Sequence, residues 1–284
     1  MGTSAQMTRA RANQWARQFI ERLDARLLLE HVAGCTAASL IAYPDAPLDN
    51  AQWAQLQNLV DRRASGEPLA YLVGHAGFYG DVLMVSPAVL VPRPETEDLV
   101  DWALEVVQAL PAPRIADLGT GSGAIALALA GKRPDASIAA VDVSAEALAV
   151  ATVNRQRLGR SNVAFICASW YEGWRCEAEL DLIVSNPPYI PAHDPHLAGD
   201  GVRFEPRLAL TDESDGLDAY RAIAAGAMAR LKPGGWLLVE HGHDQSAAVA
   251  DIWRQAGLRQ VVGRADLSGN PRMTGGQKPV GLAQ

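Results

Sequence analysis

Ile115-Ala116-Asp117-Leu118-Gly119-Thr120-Gly121-Ser122-Gly123 decides how this chain is read. Four residues suited to a short strand run into a turn that alternates glycine with small polar side chains. The apolar run 124–130 that follows is predicted as a helix. Towards the C-terminus, 137–141, 163–167, 180–184 and 235–240 read as further strands. Ser144 caps a predicted helix over 145–158 that Gly159 closes, and two more helices are expected over 216–231 and 246–256. Alternating strands and helices give an open, mostly parallel sheet with helices on both faces. In such a sheet, ligands bind outside the carboxyl ends of the strands, at the point where strand order reverses. Glycines there let the backbone approach a ligand closely. The spacing is Gly-x-Gly-x-Gly, not the Gly-x-Gly-x-x-Gly of dinucleotide folds. Asp142 ends the second strand 23 residues after Gly119, placed to accept both hydroxyls of a ribose, with Val143 beside it. That geometry serves NAD enzymes equally, so Asp142 alone does not identify the cofactor. Ser169 and Trp170 follow the third strand, and the indole suits the face of an adenine.

Towards the N-terminus the pattern changes twice. Pro87, Pro92 and Pro94 stiffen the chain ahead of a helix predicted to begin near Glu95. Before them, Tyr71-Leu72-Val73 and Val82-Leu83-Met84-Val85, punctuated by Gly74, Gly77 and Gly80, suggest a hairpin-like connector. Earlier still, Trp15, Phe19, Leu23 and Leu27 repeat at helical spacing. Asp24 is placed to cap a second helix that Gly34 ends. Thr36 opens a short turn stopped by Pro44. Asp49 or Asn50 starts a helix carrying Trp53, Leu56 and Val60 on one face and ending near Gly66. Residues 1–70 hold seven Arg and seven acidic residues, so this reads as a neutral helical bundle. The expected organisation is a helical substrate-recognition domain over 1–72, a hairpin and proline-rich connector over 73–96, and an α/β domain over 97–284.

Ser185-Asn186-Pro187-Pro188-Tyr189, after the fourth strand, is the most specific stretch for chemistry. An amide or aromatic amine nitrogen is a poor nucleophile because its lone pair is delocalised. Holding its hydrogens on acceptors and aiming its lone pair at an electrophilic methyl overcomes this. The Asn186 side-chain oxygen is one acceptor. The Pro187 carbonyl, held out by two prolines, is the other. Tyr189 offers a flat face to a planar group. Because the leaving group from a sulfonium is a neutral thioether, positioning and preorganised acceptors suffice.

Composition narrows the field. The 284 residues carry a net charge of −7, are 49% hydrophobic and 20% charged, so the chain is globular and shows no basic footprint for wrapping nucleic acid. Cys35, Cys167 and Cys176 have no metal or redox spacing, and no His-Glu-x-x-His or similar ligand set occurs, so no metal is expected. No leader is read in Met1-Gly2-Thr3-Ser4-Ala5-Gln6 and no apolar run is long enough for a membrane span, so a cytoplasmic protein, acting as a monomer, is the expectation. No Gly-x-Ser-x-Gly elbow supports Ser/His/Asp chemistry.

The glycine loop resembles motif I of class I methyltransferases. This implies a Rossmann-like fold with S-adenosylmethionine bound by Asp117, Gly119, Thr120, Gly121, Ser122, Gly123, Asp142, Val143, Ser169, Trp170 and Asn186. More of the chain matches in order: Phe78-Tyr79-Gly80, Leu90-Val91-Pro92-Arg93-Pro94-Glu95-Thr96-Glu97, 117–130, 186–190, Glu205-Pro206-Arg207-Leu208-Ala209-Leu210, Asp215-Gly216-Leu217 and Tyr220-Arg221. Together these resemble the peptide chain release factor glutamine methyltransferases (the HemK or PrmC family). The resemblance implies methylation of the glutamine in the Gly-Gly-Gln motif of bacterial class I release factors, giving N5-methylglutamine and S-adenosylhomocysteine. Asn186, Pro187, Pro188, Tyr189, Arg93 and Glu95 would contact the substrate. Asn-Pro-Pro-Tyr is shared with adenine-N6 and guanine-N2 nucleic-acid methyltransferases, which stand as the alternative; the segment 93–97 is specific to the release-factor enzymes. Three departures stand out. Ser169 replaces the usual Asp before Trp170. Thr211-Asp212-Glu213-Ser214 replaces a Gly-Gly pair. Gly275-Gly276-Gln277 copies the substrate tripeptide, by coincidence or as a self-substrate tail.

Overall fold

A computed structural model describes residues 6–174 and 179–280, leaving Cys176 and Met1 to Ala5 of the leader reading outside the described residues. The chain forms two compact units, Met1–Gly74 and His75–Gln284.

The described residues of the first unit form five helices: α1 (Arg9–Ala16), α2 (Arg22–Ala33), α3 (Ala37–Ala42), α4 (Asn50–Ala64) and α5 (Leu69–Val73). Thr8, Thr36 and Asp49 accept backbone N–H bonds at the N-termini of α1, α3 and α4, and Asp49 forms a reciprocal capping box with Gln52. Two expectations fail here. The Trp15–Phe19–Leu23 spacing does not belong to one helix, because the chain breaks after Ala16 and restarts at Arg22. Ala12, Ala16, Ala25, Leu28 and Leu56 fill the core instead, leaving Phe19 and Leu23 54% and 55% exposed. Asp24 is no cap: Glu21 holds the N-cap position of α2, and Asp24 pairs with Arg63 at 2.6 Å.

Tyr71-Leu72-Val73, read as a strand, lies in α5. Pro68 presets the backbone for a helix start and Gly74 ends the turn in the left-handed region. The hairpin that opens the second unit is therefore β1 (His75–Phe78) with β2 (Asp81–Met84), paired antiparallel.

The remaining elements are α6 (Glu95–Val107), β3 (Arg114–Leu118), α7 (Ala124–Lys132), β4 (Ser137–Asp142), α8 (Ala145–Leu158), β5 (Val163–Cys167), β6 (Leu180–Ser185), α9 (Asp218–Arg230), β7 (Leu231–Glu240), α10 (Ser246–Gln255), β8 (Arg259–Ala265) and β9 (Pro271–Gln277). They build a seven-stranded sheet in the order β5-β4-β3-β6-β7-β9-β8, parallel from β5 to β7 and antiparallel through β9 and β8. The sheet is thus mixed and mostly parallel, as expected. Side chains alternate between two cores. Ile115, Leu182, Val184 and Leu238 pack with α6 and α7, whereas Leu118, Ile183, Leu237 and Val239 pack with α9 and α10.

The chain runs outward from β3 through β4 to β5, then returns to the other side of β3 as β6. The reversal lies between β3 and β6, where Leu118 stands opposite Ser185. The glycine loop and the Asn-Pro-Pro-Tyr loop therefore leave the sheet side by side, and the Ser185 hydroxyl donates to the Leu118 carbonyl at 2.6 Å.

Candidate active site

Two loops share one cavity of about 330 Å3 beyond the carboxyl ends of β3, β4 and β6. On the first side, Gly119 and Gly123 have φ of +72° and +84°. A Cβ on Gly123 would sit 3.0 Å from Leu127 and 3.3 Å from Ala151, so helix α7 starts against a wall that only glycine fits. The turn is braced from behind. Asp117, fully buried, accepts from the Thr120 hydroxyl at 2.6 Å and from the Ala126 amide at 3.2 Å. The buried Asn154 side chain donates to the carbonyls of Ser122 and Met84, at 2.9 and 3.0 Å, tying the loop to β2.

Gly119, Thr120, Gly121, Ser122, Asp142, Val143, Ser169, Trp170 and Asn186 all line the cavity; Asp117 and Gly123 stand behind it. Asp142 accepts the amides of Gly121 at 2.8 Å and Ser144 at 2.9 Å, one on each carboxylate oxygen. Burial pushes its carboxyl up, against those backbone donors. Each oxygen keeps acceptor capacity, as a vicinal pair of ribose hydroxyls requires. The Trp170 ring lies over Gly119, where an added Cβ would be 3.6 Å away. Apolar Val143, Ala147 and Ala168 complete a wall suited to adenine. These residues fit S-adenosylmethionine: an acceptor pair for the ribose, a flat apolar slot for the base and an open glycine turn.

On the second side, Asn186, Pro188, Arg93 and Thr96 line the same cavity, whereas Pro187, Tyr189 and Glu95 do not. The Asn186 amide donates to the Thr96 hydroxyl at 3.1 Å. Thr96 donates onward to Glu240 Oε2 at 2.7 Å. Burial pushes the Glu240 carboxyl up to about 7, opposed by Thr96, Arg272 and Asn186. Among the described residues no donor is bonded to Asn186 Oδ1 or to the Pro187 carbonyl. Tyr189 packs its ring on the α9/α10 core, its hydroxyl pushed up to about 12 by burial and by Glu240. Its carbonyl is held by Gln245 at 2.9 Å. Arg93 is paired with Glu205 at 2.6 Å; the Glu205 side chain is 1% exposed.

Thr96, Glu205 and Glu240 were not singled out from sequence as site residues. Thr96 and Glu205 sit inside quoted motifs, which is a weak signal; Glu240 ends a strand like any other acid. Gly275-Gly276-Gln277 is no free tail. It lies in β9 between β7 and β8. Side chains at Gly275 and Gly276 would strike Trp102 at 2.6 Å and Trp253 at 2.7 Å, and the Gln277 amide donates to the Gly234 carbonyl at 2.8 Å. Packing, not mimicry of a substrate, explains the two glycines.

Comparison with known proteins agrees with this architecture. Residues 13–74 match the PrmC N-terminal domain and 100–198 the methyltransferase small domain. A release factor glutamine methyltransferase from Bordetella pertussis is 51% identical over 90% of this chain and 95% of its own length. One from Xylella fastidiosa is 49% identical over 93% and 96%. The fold alone is shared with the catalytic domain of hMettl16, at 15% identity and a TM-score of 0.57, over 83% of this chain and 84% of that one.

Proposed function

Because the chain belongs to the release factor glutamine methyltransferase family, we propose that it methylates the side-chain amide nitrogen (N5) of the glutamine in the Gly-Gly-Gln motif of bacterial class I release factors. The observation that carries this reading is the shared cavity: a cradle fitted to S-adenosylmethionine after β3 opens on Asn186 and Pro188 after β6, the two loops set side by side by the Leu118–Ser185 register.

S-adenosylmethionine supplies an electrophilic methyl on a sulfonium. The protein's part is positional. Asp142 holds the ribose, Trp170 and Val143 flank the base, and the glycine turn makes room for the methionine end. Asn186 Oδ1 and the Pro187 carbonyl each accept one N–H of the glutamine amide, which turns the nitrogen lone pair towards the methyl. Pro188 and Arg93 line the slot that receives the planar amide, and Tyr189 braces the loop from the α9/α10 core. The N–CH3 bond forms as the CH3–S bond breaks; the nitrogen then loses one proton to solvent, and S-adenosylhomocysteine leaves uncharged. Acceptors already in place when charge develops on the nitrogen lower the barrier without a base of their own. The helical unit serves to hold the release factor. The protein works as a cytoplasmic monomer, and no helix among the described residues is long and apolar enough to cross a membrane.

Labelled S-adenosylmethionine offered with a release factor, its Gly-Gly-Ala variant, or nucleic acid tests the reading. Label is expected on the unmodified release factor only. Equal labelling of the Gly-Gly-Ala variant rejects the glutamine assignment, and label on nucleic acid alone moves the protein to the alternative class.

A further inference from the structure

A carboxamide has two ends of nearly the same shape and opposite polarity. Asn186 serves the proposed reaction only with its oxygen towards the substrate; turned over, it would set its own N–H groups against those of the glutamine amide. Neither the Asn-Pro-Pro-Tyr sequence nor the prolines decide which way it faces. From the hydrogen-bond directions around it we infer that Thr96 and Glu240 are positioning residues that lock the Asn186 amide with its oxygen facing the substrate nitrogen.

The polarity runs one way. An ionised carboxylate only accepts, so the Thr96 hydroxyl spends its hydrogen on Glu240 Oε2, at 2.7 Å. Thr96 Oγ1 then has lone pairs alone to offer, and it accepts from Asn186 Nδ2 at 3.1 Å. One hydrogen of the amide is thereby spent on Thr96, and Oδ1 is left for the cavity that Asn186 and Thr96 line together. Flipping the amide would aim Oδ1 at an oxygen with no hydrogen left to give.

Three elements supply this lock. Thr96 is in the first turn of α6 and 4% exposed; Asn186 follows β6; Glu240 ends β7 and is 2% exposed. The β6–β7 register pairs Ser185 with Val239, so Asn186 and Glu240 come next on adjacent strands. The charged and titratable groups around Glu240 are Arg272 on β9, Glu95 on α6, and Tyr189 and Tyr220. Arg272 favours the carboxylate, Glu95 opposes it, and both tyrosines stay neutral because their hydroxyls are pushed up. Protonated Glu240 would donate to Thr96 and free the Thr96 hydrogen for Asn186 Oδ1, so the direction is enforced only by the anion.

This inference rests on the glutamine-methylation reading, and the test separates the two. Wild type, Thr96→Val, Thr96→Ser and Glu240→Gln are assayed on unmodified release factor, with S-adenosylhomocysteine affinity measured by calorimetry. Thr96→Val keeps the shape of the side chain and removes the hydroxyl. Its kcat is expected to fall at least ~10-fold, with KM for the release factor and the calorimetric Kd within about twofold, and Thr96→Ser is expected to restore most of the kcat. Wild-type kcat is expected to rise with pH through neutrality, and that rise to be absent in Glu240→Gln. Thr96→Val with kcat within twofold of wild type overturns the lock, as does a Thr96→Ser variant as poor as the valine one. Should Glu240→Gln fail to fold, the Thr96 pair decides alone. A wild-type protein that never labels the release factor overturns the reaction assignment, and the inference with it.

Discussion

The two loops that meet at the cavity solve the same problem with opposite residues. After β3, 119–123 has three glycines, all at positive φ; after β6, 186–190 has two consecutive prolines and no positive φ. The first loop must curl tightly and leave space, so its freedom is taken away from outside, by Asp117, Asn154 and Asp142. The second must hold two oxygens still, so its backbone is stiff by itself and only the one freely rotating amide needs an outside brace. Each loop has a fully or nearly buried acid behind it, Asp117 in one case and Glu240 in the other, and burial pushes both up to about 7. On the proposed reading the difference is a division of labour, with the glycine loop serving cofactor binding and the proline loop serving turnover.

Replacing Asn186 by Ala tests that division most severely. Removing a preorganised acceptor should lower kcat by roughly 100- to 1000-fold, while calorimetry finds S-adenosylhomocysteine affinity changed only a few-fold. Turnover within a few-fold of wild type would remove Asn186 from the chemistry.

The paired acids give the next effect, on stability. Both folded-state values lie above the ordinary 3.8 and 4.5. Between about pH 4 and pH 7 these two sites therefore bind more protons in the native ligand-free protein than in the unfolded chain. Their contribution to stability is full below about pH 4 and is lost as pH rises towards 7, by on the order of a few kcal/mol per acid. Denaturant melts across that range should show the decline, and Asp117→Asn and Glu240→Gln should each flatten part of it. Variants whose pH profile matches that of wild type would refute the shared design.

Asp142→Ala should weaken S-adenosylhomocysteine roughly 10- to 100-fold, the loss of hydrogen bonds to a charged acceptor, with kcat at saturating cofactor changed far less. A large kcat loss with unchanged Kd would invert the assignment of the two loops. Gly123→Ala is the mildest. Strain at φ +84° and contact with Leu127 should cost roughly 1–3 kcal/mol, seen as a lower melting temperature that added cofactor partly restores. The same stability as wild type would show that the turn tolerates a side chain.

Much of this was legible beforehand, for local reasons. Capping residues Thr36, Asp49 and Ser144 stand where the structure uses them, because a cap needs only its own turn. The parallel strands were readable because double-sided burial makes short apolar runs. The antiparallel β8 and β9 went unseen: most of β8 is exposed and β9 carries Gly275-Gly276, neither a strong strand signal. Tyr71-Leu72-Val73 misled because three residues cannot distinguish strand from helix when Pro68 and Gly74 set the ends. Within the site, loop residues were found and their supports were not. Glu240 is far from Asn186 in sequence, and Asn154 reaches the loop from a different helix.

By itself, then, the sequence determined the sheet class, the two reactive loops, and, through resemblance, the family and the kind of nitrogen methylated. Those properties reside in short stretches whose chemistry is complete within a few residues. Only the tertiary structure decided that the loops share one cavity, that Gly275-Gly276-Gln277 is a buried strand, and which way Asn186 faces. Each of these depends on strand register and on groups brought together from three or more elements, and no local pattern encodes where an adjacent strand will place its end.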